Sequence, residues 1–435
     1  MKRLLSLALA LLAGCAHSPI ATPKAGAPSS AKAMQPGFMW GVATAGFQSE
    51  GGDRTSNWAA WEQAGKVAQP IGRAIDNWNR YKEDADLTAS LGLGAYRLSL
   101  EWSRLEPSPG KHDAVAVQHY HDVLAALRQR GLEPIVTVSH WAYPAWLDEP
   151  DADGKRGWES ERMQTALATH AAWLAKEYGP QIKWWLTLNE PNTLGPAAFV
   201  VGMHPPAKHD LLAYRKVMQH QIAAHKLAYD AIHANDADAQ VSLCPIAINY
   251  PDTPGNGTEA VDPHLYLDEH EIYDQVAPHH ADYVAFNYFH SLRLRDYVKV
   301  SKSWTWPVYP RGIYEVSKDL YARYHKPLMI TENGMATFQG QARGDGWTRE
   351  AFLVQHVAWL QKAMAEGVPV LGYMHWSIAD NYEWGSHDPR FGLFSIDPND
   401  LALKRVRTPA ADVYQAIARA GGVSQDQLQR YPAPR

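Results

Sequence analysis

Cysteine is almost absent: among 435 residues there are only Cys15 and Cys244. Cys15 lies in a leader, so the folded chain has no pair of core cysteines to join in a disulfide. Cys244, in Val241-Ser242-Leu243-Cys244-Pro245, reads as a buried strand thiol rather than a reactive one. An excess of positive charge is also missing. Lys and Arg number 41 against 46 Asp and Glu, a net charge of −5 with both signs scattered. That excludes the clustered basic surface that nucleic acid requires. The first candidate strand runs into Ala43-Thr44-Ala45-Gly46-Phe47-Gln48, without the glycine fingerprint of a dinucleotide-binding sheet, and no phosphate-loop pattern occurs. The 20 histidines include no HExxH spacing; His279-His280 and the His264/His270 pair read as surface or packing residues. No metal and no cofactor is expected.

What the chain does have begins at its N-terminus. Lys2 and Arg3 precede an apolar run, Leu4 to Ala13, too short to span a bilayer but shaped like a secretory signal. The run ends Leu12-Ala13-Gly14-Cys15, which resembles a bacterial lipobox, with Cys15 as the lipidated first mature residue. An ordinary cleaved signal with a chance cysteine is the alternative. Residues 16–35, rich in Ala, Pro, Ser and Lys, suit a flexible tether. Ala16, not aspartate, follows the cysteine; in a Gram-negative cell that suggests the outer membrane. The expectation is export and a lipid anchor at Cys15.

From Phe38 onward short apolar runs alternate with amphipathic stretches. Candidate strands are Phe38–Val42, Ala95–Ser99, Pro134–Val138, Trp184–Leu188, Gln240–Leu243, Tyr283–Phe286, Leu328–Ile330 and Val370–Met374. Candidate helices are Trp78–Leu91, Ala114–Arg130, Met163–Tyr178, Leu211–Asn235, His264–Val276, Gly312–Tyr324, Arg349–Glu366 and about Thr408 to Arg419. Eight strands alternating with helices predict a parallel sheet closed into a (β/α)8 TIM barrel. With no Pro/Ser-rich linker inside, residues 36–420 read as one catalytic domain and 421–435 as a C-terminal tail. The 17 tryptophans and 21 tyrosines admit two readings, a large aromatic core or flat rings for stacking on sugars.

In TIM barrels the functional side chains stand at the C-terminal ends of strands. Two candidate strands place a glutamate there. Trp184-Trp185-Leu186-Thr187-Leu188-Asn189-Glu190 is stopped by Pro191, which has no amide donor, and Pro327-Leu328-Met329-Ile330-Thr331-Glu332 is stopped by Asn333-Gly334. A carboxylate at the end of an apolar strand is costly to bury without partners. Two of them suggest paired carboxyl chemistry, although each could merely cap its turn. Glycoside hydrolysis needs such a pair, about 5–5.5 Å apart in the retaining route, with pKa values split so that one is protonated while the other is ionised.

These residues resemble glycoside hydrolase family 1, the β-glucosidase/β-galactosidase family, over nearly all of 36–420. Thr187-Leu188-Asn189-Glu190-Pro191 is similar to its acid/base motif, and Ile330-Thr331-Glu332-Asn333-Gly334 to its nucleophile motif. Phe38-Met39-Trp40-Gly41-Val42-Ala43-Thr44 with Gln48 and Glu50-Gly51 resembles the N-terminal signature. Trp376-Ser377-Ile378-Ala379-Asp380-Asn381-Tyr382-Glu383-Trp384, followed by Arg390-Phe391-Gly392-Leu393, resembles the late sugar-binding block. The resemblance implies Glu190 as acid/base and Glu332 as nucleophile. It also implies that Gln48, His140, Asn189, Glu383 and Trp384 bind the hydroxyls of the non-reducing sugar, and that Trp376 stacks beneath its ring. Arg97 is implied to hold Glu332 ionised, and Asn287 to line the same pocket.

Two departures stand out. Where the family usually has a tyrosine whose hydroxyl touches the nucleophile, this chain has Phe289, and the loss of that donor should raise the Glu332 pKa. Residues 385–389, Gly-Ser-His-Asp-Pro, are one residue shorter than the family's stretch and lack its Gly-Tyr, and the Ser/Lys/Tyr set of the phospho-sugar branch is not found there. An unphosphorylated β-glucoside or related β-glycoside (galactoside, fucoside) or oligosaccharide is the expected substrate, with the aglycone site built from loops 142–160 and 295–312. The residues leave open a transglycosylase on the same scaffold and a catalytically silent sugar-binding protein; the latter is expected to lose one carboxylate, whereas both are here. Nothing in the sequence sets an oligomeric state.

Overall fold

The structure, a computed structural model, describes residues 37–248, 269–291 and 302–434. Eight strands form one parallel sheet: β1 (Met39–Ala43), β2 (Ala95–Ser99), β3 (Glu133–Ser139), β4 (Trp184–Asn189), β5 (Gln240–Cys244), β6 (Val284–Asn287), β7 (Leu328–Asn333) and β8 (Val370–Trp376). The sheet order is β5-β4-β3-β2-β1-β8-β7-β6. Across the seam, Asp282 N donates to Val241 O (2.9 Å) and Asn287 N to Pro245 O (3.0 Å), so β6 returns against β5 and the expected TIM barrel closes.

The strands read as near-continuous apolar runs because both of their faces are covered. Ala43, Ala95, Ile135, Leu186, Tyr283, Ala285, Met329 and Met374 fill the barrel interior. A second, larger apolar layer, including Val42, Leu98, Val136, Trp185, Val241 and Phe286, packs outward against the helices. Helix starts follow capping chemistry: Asp113 accepts from Val115 N and Ala116 N at the head of Ala114–Gln129, Asp210 caps Leu211–Asn235, and Thr348 caps Arg349–Ala365. Near the barrel mouth Gly334 has no substitute, since a Cβ there would lie 2.2 Å from the Trp376 carbonyl oxygen.

The expected strands and helices all occur within the described residues, mostly shifted by a residue or two. Of the helix expected at His264–Val276, Glu269–Val276 is described, and 264–268 lie outside the described residues. Leader, tether and Cys15 lie outside them too, as does 295–301 of the expected aglycone loop. The short helices Gly46–Glu50, Asn57–Gln63, Trp102–Leu105 and Pro191–Pro196 were not expected. Gly46–Glu50 is buried along its whole length, so it carries no amphipathic pattern to read. Within the expected tail, Gln425–Arg430 is a helix closed by a Ser424–Gln427 capping box, and Gln355 Nε2 donates to Tyr431 O (2.9 Å). No helix among the described residues is long and apolar enough to cross a membrane.

Candidate active site

At the C-terminal end of β4 the chain turns through Glu190 in the left-handed region (φ 39°, ψ 59°), and Pro191 opens the next helix. Glu190 N donates to Cys244 O at the end of β5 (2.7 Å), which fixes where the carboxyl leaves the backbone. At the end of β7, Glu332 O accepts from Tyr288 N (2.9 Å). Both side chains are almost fully buried, 6% exposed for Glu190 and 4% for Glu332.

One hydrogen-bond network joins them. Arg97, inward-facing on β2 and 0% exposed, donates from Nη1 to Glu332 Oε1 (2.5 Å) and Thr331 O (3.1 Å). Its Nε donates to Thr137 Oγ1 (3.1 Å), and its Nη2 to Asn189 Oδ1 (2.8 Å) and Cys244 Sγ (3.3 Å). Asn287 Nδ2 donates to Glu190 Oε1 (2.8 Å) and Asn189 Oδ1 (3.2 Å), while Asn287 Oδ1 accepts from Thr331 Oγ1 (2.7 Å). Strands β2, β4, β6 and β7 thus bring Arg97, Asn189, Glu190, Asn287 and Glu332 together.

The other expected residues surround this centre. Arg97 can only donate, so Asn189 presents its oxygen there and turns Nδ2 to His140 Nε2 (3.1 Å). That leaves the His140 proton on Nδ1, which is buried and has no hydrogen-bond partner. Burial and the nearby Arg97 hold the imidazole pKa well below its usual value, so the ring is neutral. It lies nearly parallel to both Trp376 and Trp384, with ring centres 6.0 Å away in each case. Trp376 Nε1 donates to Glu383 Oε1 (3.0 Å). Gln48 Nε2 reaches Tyr382 O (3.0 Å), and its buried Oε1 is unpartnered. A neutral N–H, an amide oxygen and a carboxyl group are therefore arrayed beside flat aromatic faces, a set suited to sugar hydroxyls and the apolar face of a pyranose.

Burial raises the Glu190 pKa, against hydrogen bonds from Asn287 and Thr193 and the more distant charge of Arg97. Burial pushes Glu332 up to about 8 against Arg97, and the Glu190 charge adds to the rise. Arg97 therefore contacts Glu332, but it does not bring that carboxyl below its ordinary value, because desolvation is the larger effect. Phe289 adds no donor: its ring packs 6.0 Å from Phe391 and 5.8 Å from Trp306. The two acids titrate as a unit. Glu332 faces a permanent cation directly, whereas Glu190 receives the neutral Asn287 amide. The direct cation favours the charged form of Glu332, and the neutral Asn287 amide is the weaker support at Glu190. Burial likewise pushes Glu383 up to about 8.

The short segment 385–389 is fastened to the loop after the second helix. Gln69 Oε1 accepts from His387 N (2.6 Å), Gln69 N donates to Gly385 O (2.9 Å), and Tyr382 OH donates to Gln69 O (2.8 Å). Sequence reasoning missed Thr137, Thr331 and Cys244, which complete the Arg97 and Asn287 shells. Inward alternation along β3, β5 and β7 is the signal that could have found them.

A barrel with this arrangement at its strand ends matches known proteins over most of its length. Residues 30–264 and 269–423 match the sequence profile of glycosyl hydrolase family 1. Beta-glucosidase A of Thermotoga maritima is 27% identical, covering 90% of this chain and 99% of its own. A beta-galactosidase of Sulfolobus acidocaldarius is 28% identical, covering 91% and 97%. Among solved structures, a beta-glycosidase from Pyrococcus horikoshii superposes with a TM-score of 0.79 at 29% identity over 93% of this chain and 99% of that one. A beta-glucosidase from Thermotoga maritima in complex with castanospermine superposes with a TM-score of 0.79 at 26% identity over 91% and 100%. The protein is a glycoside hydrolase on a TIM barrel. Within that class, the chain belongs to glycosyl hydrolase family 1.

Proposed function

We propose that the chain hydrolyses unphosphorylated β-glucosides or β-galactosides by double displacement, with Glu332 as nucleophile and Glu190 as acid and then base. The observation that carries this reading is the network in which Arg97 bonds Glu332 and Asn287 bonds Glu190, both meeting at Asn189 Oδ1. A Glu332 oxygen attacks the anomeric carbon as Glu190 passes its proton to the departing aglycone oxygen, and the glycosidic bond breaks. The resulting ester removes the negative charge at Glu332. Glu190, now ionised, takes a proton from water, which attacks the same carbon and releases the sugar with its β configuration. Gln48, His140, Asn189, Glu383 and Trp384 hold the sugar hydroxyls and Trp376 lies beneath the ring. Relatives named beta-glucosidase and beta-galactosidase support the substrate class. Proton NMR of a fresh reaction on an aryl β-glucoside tests the stereochemistry: the β anomer should appear first, and initial release of the α anomer would exclude the double displacement.

The same reading places the enzyme in the cell envelope, on the strength of Leu12-Ala13-Gly14-Cys15. Metabolic labelling with a palmitate analogue should mark the natural chain and not Cys15→Ala; equal labelling of both would remove the anchor.

A further inference from the structure

Arg97 is wholly buried, and each of its five N–H groups has an acceptor: Thr137 Oγ1, Thr331 O, Glu332 Oε1, Asn189 Oδ1 and Cys244 Sγ. Four of these acceptors are neutral. Among the described residues, Glu332 is the one carboxylate in contact with the guanidinium. Cys244 is itself 0% exposed at the end of β5, and its thiol donates to Asn189 Oδ1 (3.3 Å). The sulfur therefore flanks the direct contact between the cation that meets Glu332 and the amide oxygen on which the two carboxyl networks converge.

We propose that Cys244 is a positioning residue for the reaction: its sulfur takes the fifth N–H of Arg97 and so aims the guanidinium at Glu332. The proposal rests on the reading of Glu332 as nucleophile. A guanidinium is a rigid planar fork, so a constraint on Nη2 also sets the direction of Nη1. The Nη2 side is held by Asn189 and Cys244 together, and without the sulfur one buried N–H of a cation would have no partner, a costly state that a tilt toward Asn189 would relieve. Such a tilt would draw Nη1 away from Glu332. Sulfur suits the place chemically. It is a weak acceptor that reaches farther than a hydroxyl, and its proton stays on because burial drives the thiol pKa to about 12 against the pull of Arg97. A neutral thiol orients the cation without competing for its charge, which a carboxylate there would do. Because Phe289 brings no hydroxyl, the aim of Arg97 counts for more in this chain.

The test compares Cys244→Val, near in size but with no acceptor, and Cys244→Ser, which restores one, on an aryl β-glucoside across pH. Losing one hydrogen bond to the cation should move the acidic limb of kcat/KM upward by about 0.5–1 unit. Below that limb kcat/KM should fall about 3–10-fold, mainly through kcat, and the serine variant should recover most of the shift. Should Cys244→Val fail to fold, Cys244→Ala carries the same expectation for the limb, whatever its thermal stability. A limb that coincides with that of the unaltered enzyme in the valine or alanine variant overturns the proposal, as does a serine variant no better than valine. Labelling with a 2-deoxy-2-fluoro aryl glucoside runs alongside. A label away from Glu332 in the unaltered enzyme defeats the functional reading itself, whereas a label on Glu332 with unmoved limbs defeats only the role of Cys244.

Discussion

Replacing Phe289 by tyrosine restores a hydroxyl at the place where the family resemblance puts a donor to Glu332. The ring already sits in the apolar wall of the site, 7% exposed and packed against Phe391 and Trp306, so the change adds one oxygen and keeps the ring. Glu332 now takes its ionic hydrogen bond from Arg97, with a smaller one from Asn287, and is pushed up to about 8 by burial. A hydrogen bond to a charged acceptor contributes about 1.5–3 kcal/mol. At about 1.4 kcal/mol per unit, that is a fall of about 1–2 units in the pKa at which Glu332 ionises. The sign is fixed: the donor favours the carboxylate, so the acidic limb of kcat/KM moves to lower pH and the working range widens on that side. The assay is kcat/KM for an aryl β-glucoside from pH 4 to 9, with unfolding midpoints in parallel. An unmoved limb together with a lower midpoint would refute the reasoning, because it would mean that the hydroxyl is buried unpartnered and never reaches the nucleophile.

Two further predictions concern buried charge away from the sugar site. Glu101, 3% exposed, is pushed up to about 8 by burial and by Asp53 and Glu50, so the folded chain holds its proton more tightly than the unfolded one. Its contribution is complete below about pH 4.5 and is lost as pH rises toward 8. Glu101→Gln should therefore unfold a few degrees higher at pH 8.5 and at an unchanged temperature at pH 4.5; a gain of equal size at both pH values would contradict the cause. Asp84, fully buried, receives Arg405 Nε (2.8 Å) and Nη2 (3.0 Å) and ties the helix Asn77–Ser90 to the segment after β8. Asp84→Ala leaves Arg405 buried without its counter-charge and should cost about 3–5 kcal/mol in denaturant unfolding, against less than 1 kcal/mol if the pair were dispensable.

The barrel was legible because strands buried on both faces read as short apolar runs, and helices packed on one side read as amphipathic ones. Glu190 and Glu332 were legible because Pro191 and Asn333-Gly334 mark where their strands stop. The partners that set their charge were harder to see. Thr137, Thr331 and Cys244 meet Arg97 or Asn287 only because neighbouring strands pair in one register, and alternation alone turns them inward without naming those partners. The net balance at Glu332 was likewise out of reach of sequence: Arg97 and Phe289 give the directions, but only burial gives the size. Gly46–Glu50, which carries Gln48 to the site, gave no helical period because every face of it is covered.

The division of labour between Glu332 and Glu190 is tested most directly by the covalent intermediate. Incubation with a 2-deoxy-2-fluoro aryl β-glucoside, proteolysis and mass spectrometry should find the fluorosugar ester on the peptide that contains Thr331-Glu332-Asn333-Gly334. A label on Glu190, or on any residue outside that tetrapeptide, would contradict the account.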